Sequence, residues 1–373
     1  MDTPLNIPQS HQVSSGEVLN LIGSYPRGNR AAWWGTLYLV SQIKLLACVV
    51  MLKSGVGNAP EAIRSQKLLT DLHRMGYDVK DYGDVTYPAV ETAEKFDHNM
   101  KALEHIAACH QKVSEKVQDV MKDGRVCVTL GGDHSLSIGT VDGHVKARGD
   151  VAVLWVDAHA DNADLNTADT SPTGNVHGMP VALLAKELSD YWPYLPGMDW
   201  QKPTWVLSIK QFAYIGLRSV DEYERVIMDK YSITAFGMED IEYKGIINVV
   251  NEALQSIDPL SRLPLHVSFD IDCLDSLEAP STGTSVRGGM SLREGIQVME
   301  QAHRTGRLSA VDLVEVNPSI GDKRDVHLTL QAAKHLLQAV FGRQRRGNYP
   351  NDELVKLVNY NKLDKETNVL KQA

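Results

Sequence analysis

Short apolar runs alternate with amphipathic segments along most of this chain. Within residues 94–122, apolar side chains such as Val113 and Val117 recur at helical spacing, which predicts a long helix with one buried face. The run 151–156 is entirely apolar, as expected of a strand that is covered on both faces. The alternation therefore predicts a mainly parallel sheet between two layers of helices, a three-layer α/β/α domain. The predicted segments lie at 18–22, 60–75, 79–82, 94–122, 126–130, 135–145, 151–156, 181–188, 206–215, 221–230, 246–256, 265–271, 292–304 and 308–315.

The pattern also predicts one domain with two tails. Residues 1–16 are polar and predict a flexible N-terminal tail, residues 17–347 predict a single α/β domain, and residues 348–373 predict a charged C-terminal tail. The segment 29–52 is an atypical insertion in this domain. Charges leave it fewer than about 20 uninterrupted apolar residues, so a surface or packed helix is favoured over a membrane span. The alternative is that the segment is an artefact of the gene model.

Three of the predicted strands end in side chains that bind metal ions in proteins. Side chains two residues apart on an extended chain point to the same face, and the carboxyl ends of parallel strands form the usual ligand site of such sheets. We therefore expect these side chains to meet, and the meeting point needs positive charge because unpaired buried carboxylates are costly. They are His134 after 126–130, Asp157, His159 and Asp161 after 151–156, and Asp270 and Asp272 at 265–271 and just beyond.

The chemistry of these six groups favours a pair of divalent ions. Carboxylate and imidazole ligands without sulfur suit a hard-to-intermediate ion such as Mn²⁺. Six ligands are too many for one ion that must keep an open position. Two ions that share bridging carboxylates use them better.

Composition and charge narrow the class of protein further. The net charge of −9 over 373 residues argues against nucleic acid as the main partner. The four cysteines show no CxxC spacing, so they are interpreted as free thiols in a reducing compartment. The first 20 residues have neither a basic n-region nor an early arginine, and no secretory or transit signal is predicted. We expect a cytoplasmic protein, with mitochondria as the less favoured compartment, and no membrane partner.

Several motifs resemble the ureohydrolase family and, within it, arginase. The resemblance runs from roughly residue 20 to residue 347, with the motifs in the expected order. Agmatinases share the metal motifs, but GNVHGMP and EVNP are the arginase forms. The motifs are GGDHSLSIGT (131–140), VDAHAD (156–161), GNVHGMP (174–180), SFDIDCLD (268–275) and VEVNPSIGD (314–322).

This resemblance implies both an architecture and a reaction. The architecture is an eight-stranded sheet in a homotrimer, with two Mn²⁺ ions per subunit. The reaction is hydrolysis of L-arginine to L-ornithine and urea, in which hydroxide formed at the two ions attacks the guanidinium carbon. By motif match, one ion is held by His134, Asp157, Asp161 and Asp270, and the other by Asp157, His159, Asp270 and Asp272, so that Asp157 and Asp270 bridge.

The resemblance also implies roles for residues that do not bind metal. His177 matches the proton shuttle, a task suited to imidazole near neutral pH. Glu315 matches the residue that orients the planar guanidinium group, and Arg345 either contributes to subunit contacts or belongs to a solvated charge run. Asp221 and Glu224, at helical spacing, match the contacts to the α-amino group, and Asn166, Thr173 and Asn175 match those to the α-carboxylate.

Departures from the family pattern leave alternatives open. Residues 162–164 intervene between the VDAHAD motif and the Leu165-Asn166 pair that usually follows it in the family, so Asp164 competes with Asp161 as the third ligand, and the alternating spacing favours Asp161. Ser219 stands where the family usually has Asp. Two other hypotheses remain: another ureohydrolase that acts on agmatine or a guanidino acid, and, because of the insertions at 29–52 and 162–164, a metal-binding relative that is catalytically impaired.

Overall fold

An eight-stranded sheet organises the part of the chain that the computed structural model describes. The described residues are 36–41 (backbone only), 55–87, 103–161, 174–191, 195, 197–201 and 207–347. The strands are β1 (Thr36–Ser41), β2 (Asp78–Asp84), β3 (Val126–Leu130), β4 (Ala152–Val156), β5 (Phe212–Leu217), β6 (Thr234–Gly237), β7 (Leu265–Asp270) and β8 (Leu308–Val314). Their order in the sheet is β2-β1-β3-β8-β7-β4-β5-β6, and every neighbouring pair is parallel.

Helices follow most of these strands. None of the helices described here is long and apolar enough to cross a membrane. Short 3-10 turns precede or replace several of them, including His134–Leu136 and Val176–Gly178. The α-helices are α1 (Ala59–Ser65), α2 (Leu68–Arg74), α3 (Leu103–Lys122), α4 (Ser137–Arg148), α5 (Pro180–Leu184), α6 (Glu222–Tyr231), α7 (Met238–Lys244), α8 (Ile246–Ile257), α9 (Leu292–Arg304) and α10 (Lys323–Val340).

The central strands of the sheet are buried on both faces, and β4 is apolar at every position. In β4, Leu154 and Val156 belong to one hydrophobic cluster, whereas Val153 and Trp155 belong to another on the opposite face. This two-residue alternation between two clusters is the signature of a sheet between two helical layers. The predicted three-layer α/β/α architecture with an eight-stranded parallel sheet is confirmed.

Part of the segment 29–52 contradicts the expectation of a helix. Residues Thr36–Ser41 form β1, whose backbone pairs with both β2 and β3. The sequence TLYLVS is rich in residue types that favour strands, and the gap between two neighbouring strands supplies hydrogen-bond partners on both sides. The rest of that segment, the predicted strand at 18–22 and both predicted tails lie outside the described residues, and the domain boundaries stay a prediction.

Other local predictions need correction. The helix expected over 60–75 is two helices, α1 and α2, because Lys67 between them has a left-handed backbone with φ of 61°. The strand expected from residue 206 begins only at Phe212, after a 3-10 turn that the Ser208 hydroxyl caps. Three elements were not predicted at all: β6, α7 and α10.

The strand order leaves a crevice in the middle of the sheet. The chain leaves β3, passes to β4 and builds the far edge, and only later returns to insert β7 and β8 between them. Such a switch in winding direction opens a crevice at the carboxyl ends of the strands. Each predicted metal ligand ends or follows β3, β4 or β7, so the topology brings these ligands together at the crevice.

Candidate metal centre

The predicted metal ligands from three strands meet at this crevice. His134 Nδ1 lies 2.9 Å from Asp157 Oδ2, 3.1 Å from Asp161 Oδ2 and 3.3 Å from Asp270 Oδ2. All four residues are buried. Segments far apart in the sequence thus place one imidazole among three carboxylates.

A second group adjoins the first through Asp157. His159 Nδ1 lies 3.2 Å from Asp272 Oδ2 and 3.5 Å from Asp157 Oδ1. The candidate ligand atoms of His134, Asp157 and Asp270, and those of Asp157, His159 and Asp272, each lie within 4.8 Å of one another. One carboxylate therefore faces both groups, as a bridge between two ions requires.

The ligands of the VDAHAD motif lie close together, as their spacing predicts, but they do not share an extended strand. Strand β4 ends at Val156, so the three ligands that follow it are not on an extended strand. Asp161 has a left-handed backbone with φ of 49°. It therefore reaches His134 from a left-handed backbone beyond the strand, and not through the alternation of an extended chain. Asp164, the competing ligand, lies outside the described residues.

Neighbouring side chains hold the His134 ring in place. Its Nε2 lies 2.9 Å from Ser268 Oγ, and its ring stacks on Trp155 with centroids 3.9 Å apart. When Nε2 donates to the hydroxyl, the Nδ1 lone pair is left for a metal ion, which is the usual way a protein orients a ligand histidine. Trp155 also donates from Nε1 to Asp157 Oδ2 at 3.0 Å.

The protonation of the cluster reflects excess negative charge. Burial and then the charge of Asp157 raise the pKa of Asp161 to about 8. Burial, followed by the charges of Asp272 and Asp157, raises the pKa of Asp270 well above its usual value. Burial would lower the pKa of His134, but its carboxylate neighbours outweigh burial and raise it. Asp161, Asp270 and His134 therefore hold protons more tightly than they would in water, because negative charge is in excess at the site.

These observations fit divalent cations. His134 Nδ1 is buried and has three carboxylate oxygens nearby, yet it makes no hydrogen bond within the described part of the chain. A nitrogen that faces several carboxylates without bonding to them is the arrangement that a shared cation fills. The ligand types, oxygen and imidazole without sulfur, suit Mn²⁺ or a similar ion.

Two further predicted residues border the cluster. The Glu315 backbone has φ of 63°, and its Oε1 accepts a hydrogen bond from the His134 N–H at 2.9 Å. Burial and then the charge of Asp133 raise the pKa of Glu315. His177 lies in a 3-10 turn after β4, and burial lowers its pKa, as do the charges of His159 and His134, against the opposing effect of Asp133 and Asp272.

The predicted substrate contacts are only partly described. Asn175 is buried and precedes the turn that carries His177. Asp221 precedes helix α6 instead of lying within it, and its backbone N–H donates to Glu224 Oε2 at 2.9 Å. Glu224 therefore stabilises the start of α6. Asn166 and Thr173 lie outside the described residues.

Sequence reasoning missed several residues that orient the ligands. Trp155 and Ser268 each precede a ligand by two residues, so a two-residue period would have placed them on the ligand face. Thr284 donates from Oγ1 to Asp272 Oδ2 at 2.9 Å, and no local pattern marks it. Arg218, next to the departure at Ser219, contacts the segment that carries Asp272.

Comparison with known proteins agrees with this geometry. The family model described as "Arginase family" matches residues 47–342. The chain is 43% identical over 296 residues to "Arginase, hepatic" of Aquarana catesbeiana, covering 79% of this chain and 90% of that protein. It is 41% identical over 298 residues to "Arginase-2, mitochondrial" of Homo sapiens, covering 80% and 83%.

Solved structures give the same result. Arginase from Bacillus caldovelox superimposes with a TM-score of 0.70 at 30% identity, over 83% of this chain and 99% of that one. Arginase from Bacillus subtilis superimposes with a TM-score of 0.71, also at 30% identity, over 83% and 100%. On these matches, and on the cluster of ligands at the sheet crevice, the chain belongs to the arginase family.

Proposed function

We propose that this protein hydrolyses L-arginine to L-ornithine and urea, with two Mn²⁺ ions in each subunit, as the urea-forming reaction of arginine metabolism and the urea cycle. The single observation that carries the proposal is the meeting of two imidazoles and four carboxylates at the carboxyl ends of β3, β4 and β7. The relatives named arginase, with more than 40% identity, support the choice of substrate.

The proposed ligands fall into two sets that share carboxylates. When bound, two such ions supply a water molecule that is acidic enough to ionise near neutral pH. Asp157 faces both sets, and we assign Asp270 as the second shared ligand. The sets are His134, Asp157, Asp161 and Asp270 for one ion, and Asp157, His159, Asp270 and Asp272 for the other.

Glu315 and His177 are the proposed catalytic residues outside the ligand set. Glu315 Oε1 is occupied by the His134 N–H, whereas Oε2 is buried and makes no hydrogen bond with any described group. That oxygen can accept an N–H of the planar guanidinium group. His177 Nδ1 is likewise buried and unbonded among the described residues, and the ring can deliver a proton to the departing amine.

The amino-acid end of the substrate is assigned to the loops around the crevice. Ser219 pairs with His159 through a backbone bridge, which brings the start of α6 close to the ligands. Asp221 and Glu224 are proposed to bind the α-amino group, and Asn166, Thr173 and Asn175 the α-carboxylate.

Urea release is the direct test. Purified protein loaded with Mn²⁺ is expected to release urea from L-arginine, and protein treated with a chelator is expected to lose this activity until Mn²⁺ is restored. Agmatine, which lacks the α-carboxylate, is expected to be a poor substrate. Urea from agmatine but not from L-arginine would contradict the proposed substrate, and bound Mn²⁺ without urea from either would contradict catalysis itself.

We also propose that the protein is a cytoplasmic homotrimer. Arg345 forms a two-point ion pair with Glu300, with Nε–Oε1 and Nη2–Oε2 distances of 2.9 and 3.0 Å, on an exposed surface. The pair fixes the Arg345 side chain beside α9, where it can contribute to a subunit contact. Sedimentation velocity is expected to give about three times the 41.2 kDa chain mass, and Arg345→Ala is expected to shift the protein towards monomer. A wild-type monomer would contradict the trimer.

A further inference from the structure

Arg218 connects the two loops that carry one of the proposed metal sites. Its half-buried guanidinium group donates to five backbone carbonyls, those of Gly216, Asp272, Cys273, Leu274 and Val286. The shortest of these distances is 2.6 Å, from Nη2 to Asp272 O. Three of the five carbonyls belong to the turn that carries the ligand Asp272.

The backbone of the same residue contacts the other loop. The Arg218 N–H donates to Ala158 O at 3.0 Å, and Ala158 lies between the ligands Asp157 and His159. The Ser219 N–H donates to the same oxygen at 2.9 Å. A single residue thus fixes, by its backbone, the segment of His159 and, by its side chain, the segment of Asp272.

The surrounding chain leaves room for this side chain. A Cβ at Gly289 would lie 2.6 Å from Arg218 Nη2, so any larger residue there would displace the guanidinium group. Asp275 holds the same loop closed, because its Oδ2 accepts from the Gly288 and Gly289 N–H groups at 2.7 and 3.1 Å.

The two proposed metal sites depend on Arg218 to different degrees. His134 follows a turn after β3, and Asp270 is the last residue of β7, where it is paired with Val314 of β8. By contrast, His159 and Asp272 lie on loops beyond the strands, and Arg218 joins those loops. The first ion has His134 and Asp270 at the edge of the sheet and takes only Asp161 from the loop beyond β4, whereas two ligands of the other ion, His159 and Asp272, lie on the loops that Arg218 joins.

We propose that Arg218 is a positioning residue for the metal ion held by Asp157, His159, Asp270 and Asp272, and that it leaves the other ion unaffected. The inference rests on the proposed two-ion function. The expected effect of Arg218 on metal affinity is opposite to that of its charge, because a cation close to a metal site repels the metal ion. If charge alone mattered, loss of the guanidinium group would tighten metal binding. If alignment of the two ligand loops matters more, the same loss would weaken it.

The test is Mn²⁺ titration of metal-free protein by calorimetry, with free Mn²⁺ followed by electron paramagnetic resonance. Arg218→Lys keeps the charge but loses the planar fork, and Arg218→Met loses both. Both variants are expected to bind one Mn²⁺ as the wild type does and a second one about 10- to 100-fold more weakly. The matched control is Arg307→Lys. It removes a guanidinium, just before β8, that pairs with Asp258 and donates to Leu263 O just before β7, and it is expected to leave both ions unchanged.

Three results would overturn this inference. The first is a second ion that Arg218→Met binds as tightly as the wild type, which would show that Arg218 does not position it, or more tightly, which would show that charge dominates. The second is equal weakening of both ions, and the third is unfolding of both metal-free variants, which would assign Arg218 to the fold as a whole. A wild type that fails to bind two Mn²⁺ ions would overturn the proposed function as well, so the two failures are distinguishable.

Discussion

Glu315 is the residue at which local strain and the candidate site coincide. A left-handed backbone costs a residue other than glycine about 1–2 kcal/mol, so surrounding contacts must impose the φ of 63°. Here the Glu315 N–H donates to Gly132 O at 2.7 Å, and its carboxylate accepts from the His134 N–H. These two hydrogen bonds join the end of β8 to the turn that carries His134, and they leave the second carboxylate oxygen of Glu315 in the crevice.

Glu315→Gln tests whether the charge of this residue binds substrate. The amide oxygen can still accept from the His134 N–H, so fold and metal content are expected to stay the same. Loss of a charged hydrogen bond of about 1.5–3 kcal/mol is expected to lower kcat/KM for L-arginine about 10- to 100-fold. Steady-state urea kinetics measures this, and unchanged kcat/KM would exclude contact with the guanidinium group.

His177→Asn tests the proton shuttle. Asparagine cannot exchange a proton near neutral pH, so turnover is expected to fall by about 10²- to 10⁴-fold with both Mn²⁺ ions retained. Metal analysis and urea release are the two measurements, with His327→Asn, at an exposed position of α10, as the matched control. Loss of Mn²⁺ from the variant would instead make His177 a ligand or a structural support.

At the level of elements, the close contact between α3 and α4 holds the His134 turn against the sheet. Helix α4 begins directly after that turn, and two of its glycines pack against the backbone of α3. A Cβ at Gly139 would lie 2.6 Å from His110 O, and one at Gly143 would lie 2.6 Å from Ser114 O. Backbone atoms cannot move aside as a side-chain tip can, so the glycines set the distance between the helices.

Gly143→Ala separates packing from helix propensity. Propensity alone predicts stabilisation by about 1 kcal/mol, whereas overpacking predicts destabilisation by about 1–3 kcal/mol. We expect the second, measured as the free energy of unfolding in urea. Gly178→Ala, where a Cβ would meet nothing within 4 Å, is expected to be nearly neutral and serves as the control. A stabilised Gly143→Ala variant would mean that the helices can separate without cost.

For the whole molecule, stability at low pH depends on histidines buried in a neutral form. His110 on α3 is 1% exposed, and its Nε2 lies 3.2 Å from Ser135 Oγ. Burial lowers the pKa of His110 to about 3. Between pH 3 and pH 6.5 the unfolded chain therefore binds a proton at this residue and the folded protein does not, so stability falls as the pH falls through that window.

His110→Gln is expected to remove this contribution. Its magnitude is at most about 1.4 kcal/mol per pH unit for one group, so the unfolding free energy of the metal-free variant should fall less steeply between pH 6 and pH 4. Urea unfolding at several pH values measures the slope. His327→Gln, on the exposed surface of α10, should keep the wild-type slope, and an unchanged slope in His110→Gln would show that His110 becomes protonated in the folded state.

The sequence by itself was enough for the layered fold and for most of the candidate ligands. The apolar run 152–156 and the mixed run 265–269, with its alternating Leu265, Val267 and Phe269, predict buried strands from hydrophobicity, which is a local property of the sequence. The residues that follow them, such as Asp157 and Asp270, stand out because carboxylates next to a buried run need a partner. His134, after its Gly-Gly turn, follows the same logic. These signals need no knowledge of the neighbours in space.

Long-range packing determined what local patterns could not. Thr36–Ser41 is a strand because β2 and β3 leave a place for it, and α10 went unpredicted although it covers the core. Asp161 reaches His134 from a left-handed backbone beyond β4, and Arg218, whose N–H contacts the His159 loop, donates to Asp272 O across 54 residues of sequence. In each case the decisive partner is distant along the chain, so its contribution exists only after the sheet has formed.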